Sequence, residues 1–277
     1  MDTTIKSSPP DSARKKRKVP NWCRPTFSPE HGVLLVWFGS FLTGAALAQH
    51  WNTATNLALV CTFFALQWEH PFVVQLKLRK SWKPRYVVWG SIYGAIALTL
   101  AIILGLQSPV LFWVYGLGII GLLGDGIAVI HKNHKSITNE ILSFATICLS
   151  APVAYGATTG NLSLEVMGLW VLNTLFFSSA IYTIKLRRKK TRSLKPAIIY
   201  HGVAALIIIG LYALQGLSLI TALSFTIALI KLSIIICRQQ WYRKAKFPFI
   251  AIFETRFALI YVAIACISVL PAHLPPP

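Results

Sequence analysis

The sequence predicts an all-α polytopic membrane protein, a bundle of about nine transmembrane helices with its N terminus in the cytoplasm. Three observations lead there. The 277-residue chain is 55% hydrophobic and only 13% charged, against about 25% charged residues in an ordinary soluble domain, and its mean hydropathy is +0.60. Long apolar runs recur along it, and its basic residues gather in alternate connections between them. A soluble globular enzyme is thereby excluded. The five cysteines are odd in number and mostly inside apolar runs, which excludes a disulfide scaffold. A formal charge of +19, from 27 Lys and Arg against 8 Asp and Glu, would suggest nucleic acid in a chain of ordinary composition. With this apolar content it marks a basic membrane protein with no nucleic-acid partner.

A spanning helix needs roughly 20 mostly apolar residues to cross a hydrocarbon core of about 30 Å. Turns, charges and prolines divide the chain into nine candidates, at 32–49, 54–69, 86–106, 109–130, 138–158, 165–184, 196–214, 217–237 and 248–270. The second is the shortest and the weakest as a full crossing. Residues 1–31 form a polar, basic arm expected to lack fixed structure. Residues 32–270 form a single nine-helix domain, and 271–277 form a Pro-rich outer tail. The first apolar run lacks a small-residue cleavage site, so it is expected to be retained.

Orientation follows from Lys and Arg, which cytoplasmic loops retain. Of the 27, 25 fall in the arm and in the connections at 70–85, 131–137, 185–195 and 238–247, and the other two, Lys231 and Arg256, lie inside spans. The connections around Trp51, Gln107, Gly160 and Gln215 contain none. An odd number of crossings is required, with the N terminus inside and the C terminus outside.

Some familiar patterns have plainer readings here. Residues 13–20 read ARKKRKVP, which resembles a nuclear-import signal, yet a basic cluster ahead of a first membrane helix holds that end in the cytosol. Gly116, Gly118 and Gly121 spell G-x-G-x-x-G, which binds dinucleotides only between a strand and a helix. Inside an apolar helix, Gly118, Gly121 and Gly124 instead form a face for close helix packing, and Gly90 with Gly94 forms a second. Asn161, Leu162 and Ser163 fit a glycosylation sequon on the outer side. His131 and His134 are three apart beside Lys132 and Lys135. Two ligands next to ammonium groups make a poor metal site, and neither a metal nor a cofactor is implied.

Function is sought among ionisable residues inside the apolar runs, where a charge costs about 2.5–3.5 kcal/mol at a helix centre. Asp125, His201, Lys231 and Glu254 lie six to eight residues from the basic helix ends, roughly 9–12 Å below them at 1.5 Å per residue. Arg256 lies about 15 Å deep on the same count. Glu30 and His31 open the first helix, Glu69 and His70 close the second, and Asn139 with Glu140 opens the fifth, all on the same side. Lys231 and Arg256 can snorkel. Asp125 and Glu254 have short stems and must be neutral, paired with Arg256, Lys231 or His201, or exposed to a polar cavity. The candidate catalytic residues are therefore Asp125, His201 and Glu254. The candidate substrate-binding residues are Glu30, His31, Glu140, Lys231, Arg256, Arg187 and Arg188, the last two at the mouth of a cytoplasmic cavity.

The run Ser28-Pro29-Glu30-His31-Gly32 ahead of the first span resembles the P-x-E-H-G opening of the YwiC-like family of small multi-pass membrane proteins. Val33-Leu34 stand where that family usually has Ala-Trp. The similarity is expected to run to about residue 270. It implies the membrane fold and brings no activity with it. A weaker, architectural similarity is to UbiA-like prenyltransferases, whose Asp-rich motifs after helices two and six hold magnesium on a prenyl diphosphate. The corresponding connections here carry Lys77, Arg79, Lys80, Lys83 and Arg85, then Lys185, Arg187, Arg188, Lys189, Lys190, Arg192 and Lys195. Neither contains an Asp, so such a clamp is not expected.

Three function classes remain. The first is a binder or enzyme acting on an anionic amphiphile, a prenyl or lipid phosphate, in a polar cavity open to the cytoplasm. The second is a secondary transporter, which would favour midplane polar groups and broken helices, although Asn173 alone sits near a span centre. The third is a non-catalytic assembly or scaffold protein. The expected partners are membrane lipids, through anionic headgroups at the cytoplasmic face, and the oligomeric state is left open. The expected location is the bacterial cytoplasmic membrane, or a thylakoid membrane in a photosynthetic source.

Overall fold

The computed structural model describes residues 24–27, 31–78, 81–133, 135–187 and 193–271, and every element among them is helical. The helices are α1 (His31–Leu47), α2 (Thr53–Leu78), α3 (Pro84–Gln107), α4 (Leu111–Ile130), α5 (Ile137–Cys148), α6 (Ser150–Thr159), α7 (Leu164–Lys185), α8 (Lys195–Ala213), α9 (Leu219–Leu223), α10 (Thr226–Cys237), α11 (Gln239–Lys244) and α12 (Phe247–Ser268). With α5–α6 and α9–α10 each taken as one span, eight helices are long and apolar enough to cross a membrane, and α1 is a shorter apolar helix. The protein is an all-α, multi-pass membrane bundle.

The weak span expected over 54–69 is instead the longest helix. α2 runs 26 residues and continues through Pro71. A proline inside a helix removes one backbone hydrogen bond, a loss that neighbouring helices in a membrane can make good. Here Pro71 packs against Gly90 of α3. Glu69 and His70 therefore lie within α2 and do not close it. The short helix is α1, whose 17 residues rise about 26 Å.

Side-chain contacts join helix ends at both ends of the bundle. At one end, Thr55 Oγ1 meets Thr158 Oγ1 at 2.6 Å, and Ser268 donates to Thr221 at 3.0 Å. At the basic end, Arg85 donates to the carbonyls of Arg24 and Pro25, both at 2.8 Å, and Lys185 meets Glu140 at 2.6 Å. Of the basic arm, residues 24–27 are described; Thr26 is buried and Phe27 stacks on Tyr93.

Close approach through small residues builds the first half. A Cβ on Gly44 would collide with the backbone of Ala151, and one on Gly121 with the Thr146 side chain. Leu149, Thr146 and Leu142 of the fifth span oppose Gly118, Gly121 and Gly124 in turn, and Trp68 opposes Gly94. These are the two small-residue faces read from the sequence, and the G-x-G-x-x-G run lies wholly within α4.

Two spans are interrupted. Pro152 has no N–H for the carbonyl of Cys148, and the break falls at Leu149. At residues 224–225, Ser224 and Thr226 donate back to the carbonyls of Thr221 and Leu223, both at 2.7 Å. Such back-bonding competes with the helical ladder.

Candidate functional site

The helix α7 runs through the main core cluster, with Leu169, Leu172, Phe176 and Phe177 all buried. Positions three and four apart share a helical face, and on α7 this places Phe176, Ser179 and Thr183 in one column. All three are buried. The column meets Lys231 of α10 and Glu254 of α12. Lys231 Nζ lies 2.8 Å from Glu254 Oε2, and their side chains are 3% and 13% exposed. The ammonium also donates to Ser179 Oγ at 3.1 Å and lies 5.6 Å from the Phe176 ring centre. Glu254 Oε1 accepts from Thr183 Oγ1 at 3.0 Å and from Tyr242 OH at 2.8 Å. Both carboxylate oxygens and the ammonium thus have partners, as buried charges require.

Tyr242 comes from α11, the short helix lying between α10 and α12. It is fully buried against Leu186, Ile235 and Ile250. Burial holds its phenol well above the ordinary value, and the Glu254 charge adds to the rise. The phenol therefore remains a donor to the carboxylate and caps it from the basic end. Arg187 secures the neighbouring connection, donating to the carbonyl of Ala245 with its guanidinium 5.9 Å from the Phe247 ring centre.

His201 of α8 is 1% exposed. Its Nδ1 lies 2.7 Å from the carbonyl of Ala197, and since a carbonyl only accepts, Nδ1 carries the hydrogen. Nε2 is buried and has no hydrogen-bond partner among the described residues. The ring lies within electrostatic reach of Lys231 and Glu254. Two turns deeper along α7, Asn173 donates to Thr43 of α1 at 2.9 Å and accepts from Tyr261 of α12 at 2.7 Å. Tyr261 in turn stacks on Phe176. Buried polar contacts thus run from the middle of α7 to its basic end.

The structure divides the single polar layer expected from the sequence. Glu254, Lys231 and His201 gather around α7, with Arg187 beside Tyr242. Asp125 pairs with none of the expected bases: its Oδ1 accepts from Asn139 Nδ2 at 2.6 Å. The flanking Gly124 lets α5 come close, with Leu142 against it, while Gly126 faces Phe72 and Leu76 of α2. Arg256 is exposed on α12, two residues from Glu254 and so on another face of the helix. Among the described residues it joins neither group. Glu140 pairs with Lys185, bridging α5 and α7. Glu30, Arg188 and the side chain of His31 lie outside the described residues. Sequence reasoning missed Ser179, Thr183 and Tyr242. The run of hydroxyl and amide side chains along α7, from Asn173 through Ser179 to Thr183, was the available signal; Tyr242, in a connection, offered none.

The model of the YwiC-like protein family matches residues 27–155, from the end of the basic arm into α6. The similarity to that family covers the first half of the helical region, a shorter reach than the sequence resemblance suggested. Asp125, Asn139 and Glu140 lie within the match, and the Lys231–Glu254 group lies beyond it. Comparison with curated proteins and with solved structures gives no match.

Proposed function

We propose that the protein is a proton-linked membrane carrier for an anionic, amphiphilic solute, with Lys231 and Glu254 as its coupling pair. The observation that carries this reading is the 2.8 Å ion pair inside the bundle, joining α7, α10 and α12 and capped by Tyr242. As mere structural glue the pair is a poor choice, because a buried ion pair is often no better than well-packed apolar side chains of similar volume. Ionisable groups at membrane depth mark ion and substrate paths by default.

The chemistry follows from removing one charge. A proton taken up by the Glu254 carboxylate neutralises it and releases the Lys231 ammonium, which then needs another anion. A phosphate or carboxylate on the solute supplies that counter-charge. Loss of the proton restores the internal pair and expels the solute anion, so the two bindings are linked. His201, with its buried Nε2, is placed to accept a proton or a hydrogen bond beside the pair. The basic connections concentrate anions at that end, and the interruptions at 149 and 224–225 are points at which spans can bend.

The test is charge displacement after a pH jump on proteoliposomes adsorbed to a supported membrane. Wild type should give a transient. The double variant Lys231→Met/Glu254→Gln strands no charge, so it should fold and give none. A transient equal to wild type from the double variant would overturn the proposal.

A further inference from the structure

We infer that a recess between α5 and α7 at the basic end binds the headgroup of a zwitterionic phospholipid, one carrying both a phosphate and a primary amine. The recess holds about 210 Å³ and is lined by Glu140, Phe144, Ala180, Ile181, Ile184 and Lys185. It shares no residue with the coupling pair, and the inference does not depend on the carrier reading. At about 30 Å³ per water, the volume equals roughly seven waters, which suits a headgroup and is too small for acyl chains. Ile184 on its rim is 38% exposed, so chains can leave along the lipid-facing surface.

The polar end of the recess selects the headgroup. Glu140 lies in the first turn of α5 and Lys185 in the last turn of α7, the depth at which headgroups sit. Their side chains are 27% and 14% exposed and meet at 2.6 Å. A headgroup with both charges can open this pair and satisfy each member, its ammonium on Glu140 and its phosphate on Lys185. No charge is then left unpaired. An anionic headgroup without an amine would satisfy Lys185 and strand Glu140. A quaternary amine would bring charge but no N–H donor for the carboxylate. This selectivity differs from the general attraction of basic loops for anionic lipid, which would favour the anionic headgroup.

Native mass spectrometry of the full chain in detergent tests this, with equimolar dioleoyl phosphatidylethanolamine, phosphatidylglycerol and phosphatidylcholine. Wild type should retain the ethanolamine lipid about tenfold over the other two, the effect of one charge-assisted hydrogen bond. In Glu140→Gln the preference should fall to within about twofold, while phosphatidylglycerol is still retained through Lys185. The exchanged variant Glu140→Lys/Lys185→Glu keeps an internal pair, and hence the fold, but inverts the dipole; it too should lose the preference. Equal retention of the three lipids by wild type, or an undiminished preference in either variant, would overturn the inference.

Discussion

Asp125 and Glu254 are both short-stemmed acids placed six to eight residues from a basic helix end, yet they meet different surroundings. Asp125, on α4, meets an amide from α5. The other side of α4 is broadly exposed, with Ile119, Ile120, Leu123 and Ile127 all facing outward. Glu254 faces α7 and finds an ammonium and two hydroxyls. Depth along a helix therefore does not decide what an acid becomes. The helix opposite decides it, and the two regions differ accordingly. Close approach at small residues joins helices in both halves, Gly44 to Ala151 in the first and Gly168 to Gly216 in the second, while the buried Lys231–Glu254 pair belongs to the second.

The largest expected effect comes from breaking one side of the Glu254 group. Lys231→Met alone strands a carboxylate in a buried site and should cost about 3–5 kcal/mol, read as a fall in thermal stability in detergent. The double neutral variant should recover most of that loss. Removing the cap is the next test: Tyr242→Phe deletes one hydrogen bond to a charged group, a loss of about 1.5–3 kcal/mol, and the same melting measurement checks it. On the other side of the comparison, Gly121→Val drives a side chain into Thr146 and should cost about 1–3 kcal/mol through overpacking. It should also loosen α4 from α5 in hydrogen exchange while leaving α7 protected. The smallest effect is expected from Asp125→Asn, which keeps shape and an amide-compatible contact and should change stability by no more than about 0.5 kcal/mol. A loss as large as that of Lys231→Met would show the two acids to be alike.

The apolar helices were legible in the sequence because hydropathy acts locally. The continuation of α2 through Pro71 was not, since a proline beside Glu69 and His70 looks like a helix end until α3 is seen packed against it. The glycine spacing gave away the α4 packing face but not its partner. For the candidate site, Lys231, His201 and Glu254 stood out as isolated ionisable groups in apolar runs. Their separation from Asp125 and Arg256 depends on which faces the helices turn to one another, a tertiary matter. Tyr242 was invisible because its significance comes from α11 folding back over the end of α12.

The difference between the two acids is tested most directly by infrared difference spectroscopy of the reconstituted protein across a pH step, following the carboxyl stretch of protonated side chains. The account predicts a carboxyl signal that persists in Asp125→Asn and disappears in Glu254→Gln. A signal that persists in Glu254→Gln and disappears in Asp125→Asn would contradict it.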